Sequence, residues 1–102
     1  MNVKFKKSDG VLTLYIYGEL DEYTAISVKN TVDNVIMSNL NVGKVIFDLS
    51  GVTFMDSTGI GLLIGRYKKI KQFNISSYIS GASVASERVL ELAGIYQIMP
   101  RV

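Results

Sequence analysis

The run from Val52 to Gly59 (VTFMDSTG) carries the residues of this chain best suited to chemistry, two hydroxyl groups beside a carboxylate. It stands where the loop after a buried strand is expected to enter a helix. Asp56 is a good N-cap, because its carboxylate can accept hydrogen bonds from the free N–H groups of the first helical turn. Ser57 and Thr58 then place their hydroxyls at the positive end of the helix dipole, which tolerates an added phosphate. These local features fit an ordinary helix start and a phosphorylation site about equally well.

Two glycines behind this run favour the second interpretation. Gly61 and Gly65 follow Ser57 at intervals of four residues, so all three share one face of the predicted helix. A glycine inside a helix costs about 1 kcal/mol relative to alanine. That cost permits close approach, either of the helix to its own sheet or of a partner to the helix. The buried face is already assigned to other residues, namely Ile60, Leu63, Ile64, Tyr67 and Ile70, so we interpret the glycine face as a partner surface.

Composition excludes many enzyme classes. The chain has 102 residues, which is the length of one domain with a single core, so we expect residues 1–102 to form one domain. It has no cysteine and no histidine, which rules out disulfides, the usual zinc ligands and any Cys-His or Ser-His catalytic pair. No Gly-rich loop followed by Lys-Ser/Thr is present to hold a nucleotide. We therefore predict a protein that is not an enzyme and that has no cofactor and no metal.

Charge and hydropathy predict neither a nucleic acid nor a membrane as a direct partner. The net charge is +2, too small an excess to indicate a polyanion. The one local cluster of cations (Arg66, Lys68, Lys69 and Lys71) is interpreted as the solvated outer face of a helix in its last turns. The amino terminus has no signal-peptide pattern, and the longest apolar stretch, near residues 60–64, cannot span a bilayer. We expect a cytoplasmic protein.

The amino-terminal half predicts a hairpin, a helix and a central strand. Apolar and polar residues alternate at positions 3–6 and again at 12–17, which indicates two half-buried strands. The Ser8-Asp9-Gly10 turn between them makes the strands antiparallel neighbours. An amphipathic helix follows from Tyr23 to Leu40, with Asp21 or Thr24 as its cap. The apolar run from Lys44 to Leu49 is typical of a central strand.

The carboxyl-terminal half predicts two more helices and two short strands. A helix from Ser57 to about Lys71 precedes a strand at Ser76–Ser80. A third helix runs from about Ser83 to Ala93 with Ala85, Val89 and Leu92 as its apolar face and Gly94 as a left-handed cap. A last strand is expected at Tyr96–Met99. This order predicts an α/β fold, a mixed sheet of about five strands with three or so helices packed on it.

Asp48 ends the predicted central strand. Its side chain is expected to fix the following Ser50-Gly51 turn, and the alternative is that it supports the loop that holds Ser57.

Taken together, these segments resemble the STAS domain family, specifically the bacterial anti-sigma factor antagonists of the sporulation and general-stress type. The segment Gly18–Ala25 is similar to the family's approach to its first helix, and Val45–Leu49 to its central strand. Phe54–Leu63 is similar to the family's phosphorylation loop and second helix. Gly65–Lys68 and Leu92–Ile95 extend the likeness, which covers essentially the whole chain.

The resemblance implies a protein that binds an anti-sigma factor, itself a serine kinase, and so releases a sigma factor for transcription. The kinase would transfer the γ-phosphoryl group of ATP to Ser57 and so inactivate the antagonist, and a serine phosphatase would restore it. Thr58 is the weaker acceptor candidate, and Asp56 matches the neighbouring acidic position. Partner binding would then involve Glu19, Asp21, Asp56, Ser57, Thr58, Gly61 and Gly65. Glu19 and Asp21 could instead form only a solvated acidic run that caps a helix.

The alternative within the same family is a binding module that is never phosphorylated, in a stress-signalling scaffold or a lipid-transport assembly. The sporulation and stress settings both stay open.

Overall fold

The computed structural model describes residues 2–102 as a sheet with helices inserted between its strands. The strands are β1 (Val3–Ser8), β2 (Val11–Leu20), β3 (Lys44–Met55) and β4 (Ser76–Ser80). The helices are α1 (Ala25–Met37), α2 (Ser57–Lys71) and α3 (Val84–Leu92), and a 3-10 helix follows at Ile95–Gln97. No helix in residues 2–102 is both long enough and apolar enough to cross a membrane.

The sheet has the strand order β1-β2-β3-β4. β1 and β2 are antiparallel, and β2, β3 and β4 are parallel. The hairpin turns at Asp9 and Gly10, whose φ angles are 52° and 77°; positive φ at both positions suits the right-handed twist of the flanking strands. The predicted mixed sheet with an antiparallel start is confirmed.

The helices α1 and α2 cover one face of this sheet. Each connects a strand to the next parallel strand in the same direction, and such crossovers are almost always right-handed, which places both helices on the same side. Alternate side chains on that side are fully buried, among them Leu12, Leu14, Val45, Phe47 and Ile79. The side chains between them on the central strands point to the opposite face, where they are half-buried or exposed. The α/β class is therefore confirmed, with one face of the sheet left open.

The predicted fifth strand at Tyr96–Met99 is wrong. Gly94 takes a left-handed conformation (φ 70°) and turns the chain into the 3-10 helix, which drives Ile95 and Met99 into the core. After this 3-10 helix the chain meets β4 at Arg101, through a single bridge to Ile79. The described residues therefore form four strands.

The apolar face predicted for α3 is wrong for two of its three residues. Ser86 and Leu90 are its buried residues and Val89 is half-buried, whereas Ala85 and Leu92 are exposed. The helix is thus rotated by about one residue, because the small Ser86 side chain fits against the core as readily as an alanine would. The predicted Gly94 cap is confirmed, since Gly94 is left-handed. At the other end the Ser83 side chain accepts a hydrogen bond from the Ser86 amide and caps the start of the helix.

β3 continues six residues beyond its predicted end at Leu49, so the expected Ser50-Gly51 turn is instead strand with shifted register. Asp48 does fix this segment, as predicted. One carboxylate oxygen accepts from the Ser50 amide (3.0 Å) and hydroxyl, and the other from the Ser80 hydroxyl at 3.1 Å. Gly51 leaves room here for the Tyr17 ring, because a Cβ atom would lie 2.6 Å from Cδ1 of that side chain, which would have to shift.

Arg66 does not belong to a solvated outer face, contrary to the prediction. Its side chain is only 10% exposed, and its Nε lies 2.9 Å from Oδ1 of Asp33 on α1, at ion-pair distance but without the alignment of a hydrogen bond. Lys69 approaches the other oxygen of Asp33 at 3.6 Å. The periodicity of α2 places Arg66 toward α1, and the pair ties the two helices together.

Replacing Asp33 should therefore destabilise the domain. We expect Asp33→Asn to lower the free energy of unfolding by about 2 kcal/mol, because it leaves the buried Arg66 charge without its counterion. Glu22→Gln is the control, since Glu22 is exposed and outside the ion pairs of residues 2–102, and it should change stability by less than about 0.5 kcal/mol. Urea denaturation measures both, and equal stabilities would show that the pair contributes nothing.

Candidate phosphorylation and partner-binding site

The start of α2 is capped as predicted. Asp56 has an extended backbone (φ −120°, ψ −167°) and its Oδ1 accepts a hydrogen bond from the Thr58 amide at 2.9 Å. The amides of Gly59 and Ile60 donate to the Asp56 carbonyl at 3.1 and 3.3 Å. Ser57 is consequently the first residue of the helix, where its own amide has no intrahelical acceptor.

Ser57 is the accessible hydroxyl of this segment. Its side chain is exposed, and its hydroxyl makes no hydrogen bond within residues 2–102. Thr58 is half-buried and faces a groove between α1 and α2. Of the two hydroxyls, Ser57 presents the less hindered nucleophile to an incoming phosphoryl donor.

The parallel ends of β2 and β3 bring the acidic residues next to this segment. Glu19 is paired with Phe54, and Leu20 with Met55. The Glu19 side chain is exposed and forms no ion pair within residues 2–102, so it is free to meet a cation of a partner. Asp21 lies at the end of the same strand.

Asp21 is already engaged in the turn that leads into α1. Its carboxylate accepts hydrogen bonds from the amides of Tyr23 (2.9 Å) and Thr24 (3.1 Å). The Thr24 hydroxyl accepts from the Asp21 amide at 3.1 Å and donates to the Glu19 carbonyl at 2.8 Å. The predicted side-chain cap of α1 is wrong. Thr24 is the N-cap residue but its side chain accepts no hydrogen bond from the helix, and Asp21 fixes the turn before α1, which begins two residues later than predicted.

Gly59 makes the closest approach of α2 to the sheet, which the sequence analysis missed. A Cβ atom there would lie 2.8 Å from Cγ of Met55 and 3.0 Å from the Leu20 carbonyl oxygen. Glycine is required because that oxygen belongs to the backbone and cannot swing aside. The signal in the sequence was a third glycine in the same helix, outside the stripe of four-residue spacing.

Gly61 and Gly65 face open space. A Cβ atom on either would meet no atom within 4 Å, so these glycines are not needed for packing inside the domain. They line an open groove of about 270 Å³ between α1 and α2. The other residues that line it are Ala25, Ile26, Lys29, Thr58, Leu62 and Arg66.

Two apolar side chains near the groove also escaped the sequence analysis. Ile26 on α1 is 72% exposed although it lines the groove, and Phe54 beside Glu19 is 51% exposed. Their residue types favour burial. The placement of α1 brings Ile26 to the groove, whereas Phe54 lies on β3 three residues before the start of α2. Side chains of this kind supply the apolar contacts of protein interfaces.

The charges around the groove are segregated. Glu19 and Asp56 lie beside Ser57, and Lys29 lines the groove farther along α1. Arg66 also lines the groove, but its charge is paired with Asp33. No group of three or more acidic, histidine or cysteine residues in positions 2–102 is arranged to hold a metal ion. The arrangement suits the docking of a protein with a matching charge pattern.

Comparison with known proteins identifies the family. The model of the STAS domain matches residues 2–102, and the chain belongs to this family. It is 30% identical over 100 residues to an anti-sigma F factor antagonist of Paenibacillus polymyxa, covering 98% of this chain and 85% of that protein. It is also 30% identical over 100 residues to an anti-sigma-B factor antagonist of Listeria monocytogenes, covering 97% of this chain and 84% of that protein. The chain is thus a homologue of antagonists of anti-sigma factors, which are regulators.

The fold agrees with that of a solved family member. The Bacillus anti-sigma factor antagonist SpoIIAA in its unphosphorylated form superposes with a TM-score of 0.79 at 20% identity, covering 98% of this chain and 87% of that one. Its phosphorylated form superposes with a TM-score of 0.70, covering 98% and 90%. At this identity the likeness describes the fold.

The glycines of α2 should separate by stability. Gly59→Ala should lower the free energy of unfolding by about 1–2 kcal/mol, because the new methyl group clashes with Met55 and with the Leu20 carbonyl. Gly61→Ala is the matched control and should raise it by up to about 1 kcal/mol, since the methyl group meets no atom and alanine favours a helix. Urea titration of both variants tests this, and equal effects would contradict the assigned roles.

Proposed function

We propose that the protein is an anti-sigma factor antagonist whose unphosphorylated form binds an anti-sigma factor that is also a serine kinase, and thereby releases a sigma factor. Phosphorylation of Ser57 by that kinase ends the binding, and a serine phosphatase restores it. The observation that carries the proposal is the exposed, unbonded hydroxyl of Ser57 on the first residue of a capped helix, beside an open groove. The names of the relatives support the same assignment.

The surface that would bind the kinase is continuous. Ser57, Thr58, Gly61 and Gly65 follow one another along α2 toward the groove. Glu19 and Asp21 adjoin Asp56 from the neighbouring strand end. The acidic end would meet cations of the kinase, and the glycines would admit its backbone or a bulky side chain close to the axis of α2.

The fold should tolerate phosphate at this position. A phosphoserine adds a charge of about −1.5 to −2 at neutral pH, and the start of a helix stabilises negative charge through its dipole and its free amides. The phosphorylated form of SpoIIAA supports this, because it retains the fold. Phosphorylation is therefore expected to leave the domain folded.

The interface with the kinase should not tolerate a phosphate on Ser57. The phosphate would stand beside Asp56 and near Glu19, where a docked partner has to approach closely. Its bulk, its desolvation and its repulsion of partner carboxylates all oppose binding. The modification would thus change affinity without changing the fold.

The chemistry belongs to the kinase. The Ser57 oxygen would attack the γ-phosphorus of ATP, the bond from that phosphorus to the oxygen of ADP would break, and the hydroxyl proton would pass to a base of the kinase. Asp56 would contribute by position: its Oδ1 accepts a hydrogen bond from the Thr58 amide, which fixes the start of α2 and with it the nucleophile.

Site-specific labelling tests the acceptor. Incubation with the anti-sigma factor kinase of the same organism and Mg-ATP should add one phosphoryl group, measured by intact mass spectrometry. Ser57→Ala should abolish the addition, whereas Thr58→Val should preserve it, because Ser57 carries the accessible hydroxyl. Continued labelling of Ser57→Ala would contradict the acceptor assignment. Tight binding without any labelling of the wild-type protein would instead favour the unmodified binding module.

Binding measurements test the glycine face. We expect Gly61→Leu to weaken binding of the kinase at least tenfold, because the side chain would fill the groove without disturbing the core. Gly43→Leu is the control, since Gly43 also has no atom within 4 Å of an added Cβ but lies at the start of β3, away from α2. Calorimetric titration with unchanged affinity for Gly61→Leu would remove the groove from the interface.

A further inference from the structure

The open face of the sheet, opposite the helices, gathers six cationic and aromatic residues. They are Lys4 and Lys6 of β1, Tyr15 and Tyr17 of β2, Lys44 of β3 and Tyr78 of β4. Strand register places them on the same side: Lys4 is opposite Tyr15, and Lys6 begins a row that ends at Tyr78. We refer to these six residues as the open sheet face.

These residues are accessible. The three lysines and Tyr17 are exposed, and Tyr15 and Tyr78 are half-buried. Half-burial fits rings that lie along a pleated surface with one side toward solvent. The open sheet face thus combines flat aromatic surfaces with side chains that reach into water.

Two of the three tyrosine rings on the open sheet face have a lysine beside them. Nζ of Lys4 lies 5.8 Å from the centroid of the Tyr17 ring, and Nζ of Lys44 lies 5.5 Å from that of Tyr78. Two carboxylates share this side of the sheet. The oxygens of Asp48 accept hydrogen bonds from serine groups, and Glu19, two residues after Tyr17 on β2, is exposed. The lysines outnumber these carboxylates by three to two, and Lys6 and Lys44 lie toward the opposite end of β2 from Glu19.

We propose that the open sheet face binds single-stranded nucleic acid. Bases would stack on Tyr15, Tyr17 and Tyr78, and the lysines would neutralise the phosphates between them. A four-stranded sheet with exposed aromatic side chains is a known platform for unpaired bases, because every base offers a flat face. An acidic protein is the competing occupant, because tyrosine is also common in protein interfaces, and competition by poly-glutamate separates the two.

The spacing of the rings fits successive bases of an extended strand. Tyr15 and Tyr17 are two residues apart on one strand, which separates them by about 7 Å. Tyr78 lies two strands away in the row of Thr13, which places it about 12 Å from Tyr15. Such a surface covers a few nucleotides and reads no particular sequence.

The affinity should be modest and should depend on salt. Three phosphate contacts predict that log K falls with log salt with a slope of about −2, and non-specific complexes of this kind have Kd values of about 10⁻⁴ to 10⁻⁶ M. The site is independent of Ser57 and of the α1–α2 groove, so a failure here leaves the proposed function unaffected.

The test is fluorescence anisotropy of a labelled 20-nucleotide oligo-dT and oligo-U, titrated with the full chain at 50–200 mM NaCl. For the wild-type protein, log K should fall with log salt with a slope of about −2. The variant Lys4→Gln/Lys44→Gln should reduce that slope to about −0.7, because it removes two phosphate contacts. Tyr15→Leu and Tyr78→Leu should each weaken binding about fivefold or more and leave the slope unchanged, because leucine keeps bulk but cannot stack.

The matched control is Lys29→Gln/Lys68→Gln, which removes two exposed lysines from α1 and α2 and should leave binding unchanged. Circular dichroism establishes that each variant is folded. Three results would overturn the proposal: no binding at 50 mM NaCl with 100 µM protein, equal loss in the control variant, or competition by poly-glutamate as effective as by unlabelled oligo-dT.

Discussion

The parallel pairing of the ends of β2 and β3 is the constraint on which the functional surface depends. Glu19 pairs with Phe54 and Leu20 with Met55, well past the last residue of β4. Because parallel strands end at the same edge, the turn into α1 and the turn into α2 leave the sheet side by side. Gly59 then lets α2 lie close to the end of β2, because a Cβ atom at this position would be 3.0 Å from the Leu20 carbonyl oxygen. Without this extension of β3, Glu19 and Ser57 would not share a surface.

A second consequence is that stability and binding rest on different residues of one helix. Gly59, Ile60 and Leu63 hold α2 to the sheet, and the Arg66–Asp33 pair holds it to α1. Ser57 and Gly61 point away from these contacts. A charge added at the helix start therefore acts on a partner and not on the core. A regulated interface needs this separation, since the protein must survive each cycle of modification.

Local patterns predicted most elements, whereas side-chain placement depended on the tertiary structure. The Asp56 cap, the hairpin turn and the Gly94 cap were predictable because each depends on neighbouring residues. The conformation of Tyr96–Met99 was not predictable in this way. Its apolar residues suit a strand, but the left-handed Gly94 turns the chain into a 3-10 helix. Arg66 was likewise predicted to be solvated. Its partner Asp33 lies on another helix, so the ion pair depends on how the helices pack.

The candidate site shows the same division. The sequence singled out Ser57 and the glycine stripe, and the family resemblance decided between a plain cap and a phosphoacceptor. It could not indicate the role of Ile26, nor the lysines of the open sheet face, which lie far apart in the chain and meet only through strand register. The spacing of residues along the sequence does not predict a surface whose residues come from several strands.

The most direct measurement compares one protein in two states. The chain is phosphorylated to completion at Ser57, and the affinity of the modified and unmodified proteins for the anti-sigma factor kinase is measured by calorimetry, with circular dichroism as the check on folding. The account predicts that the modified protein is fully folded and binds at least a hundredfold more weakly. Equal affinities for the two folded forms would contradict it.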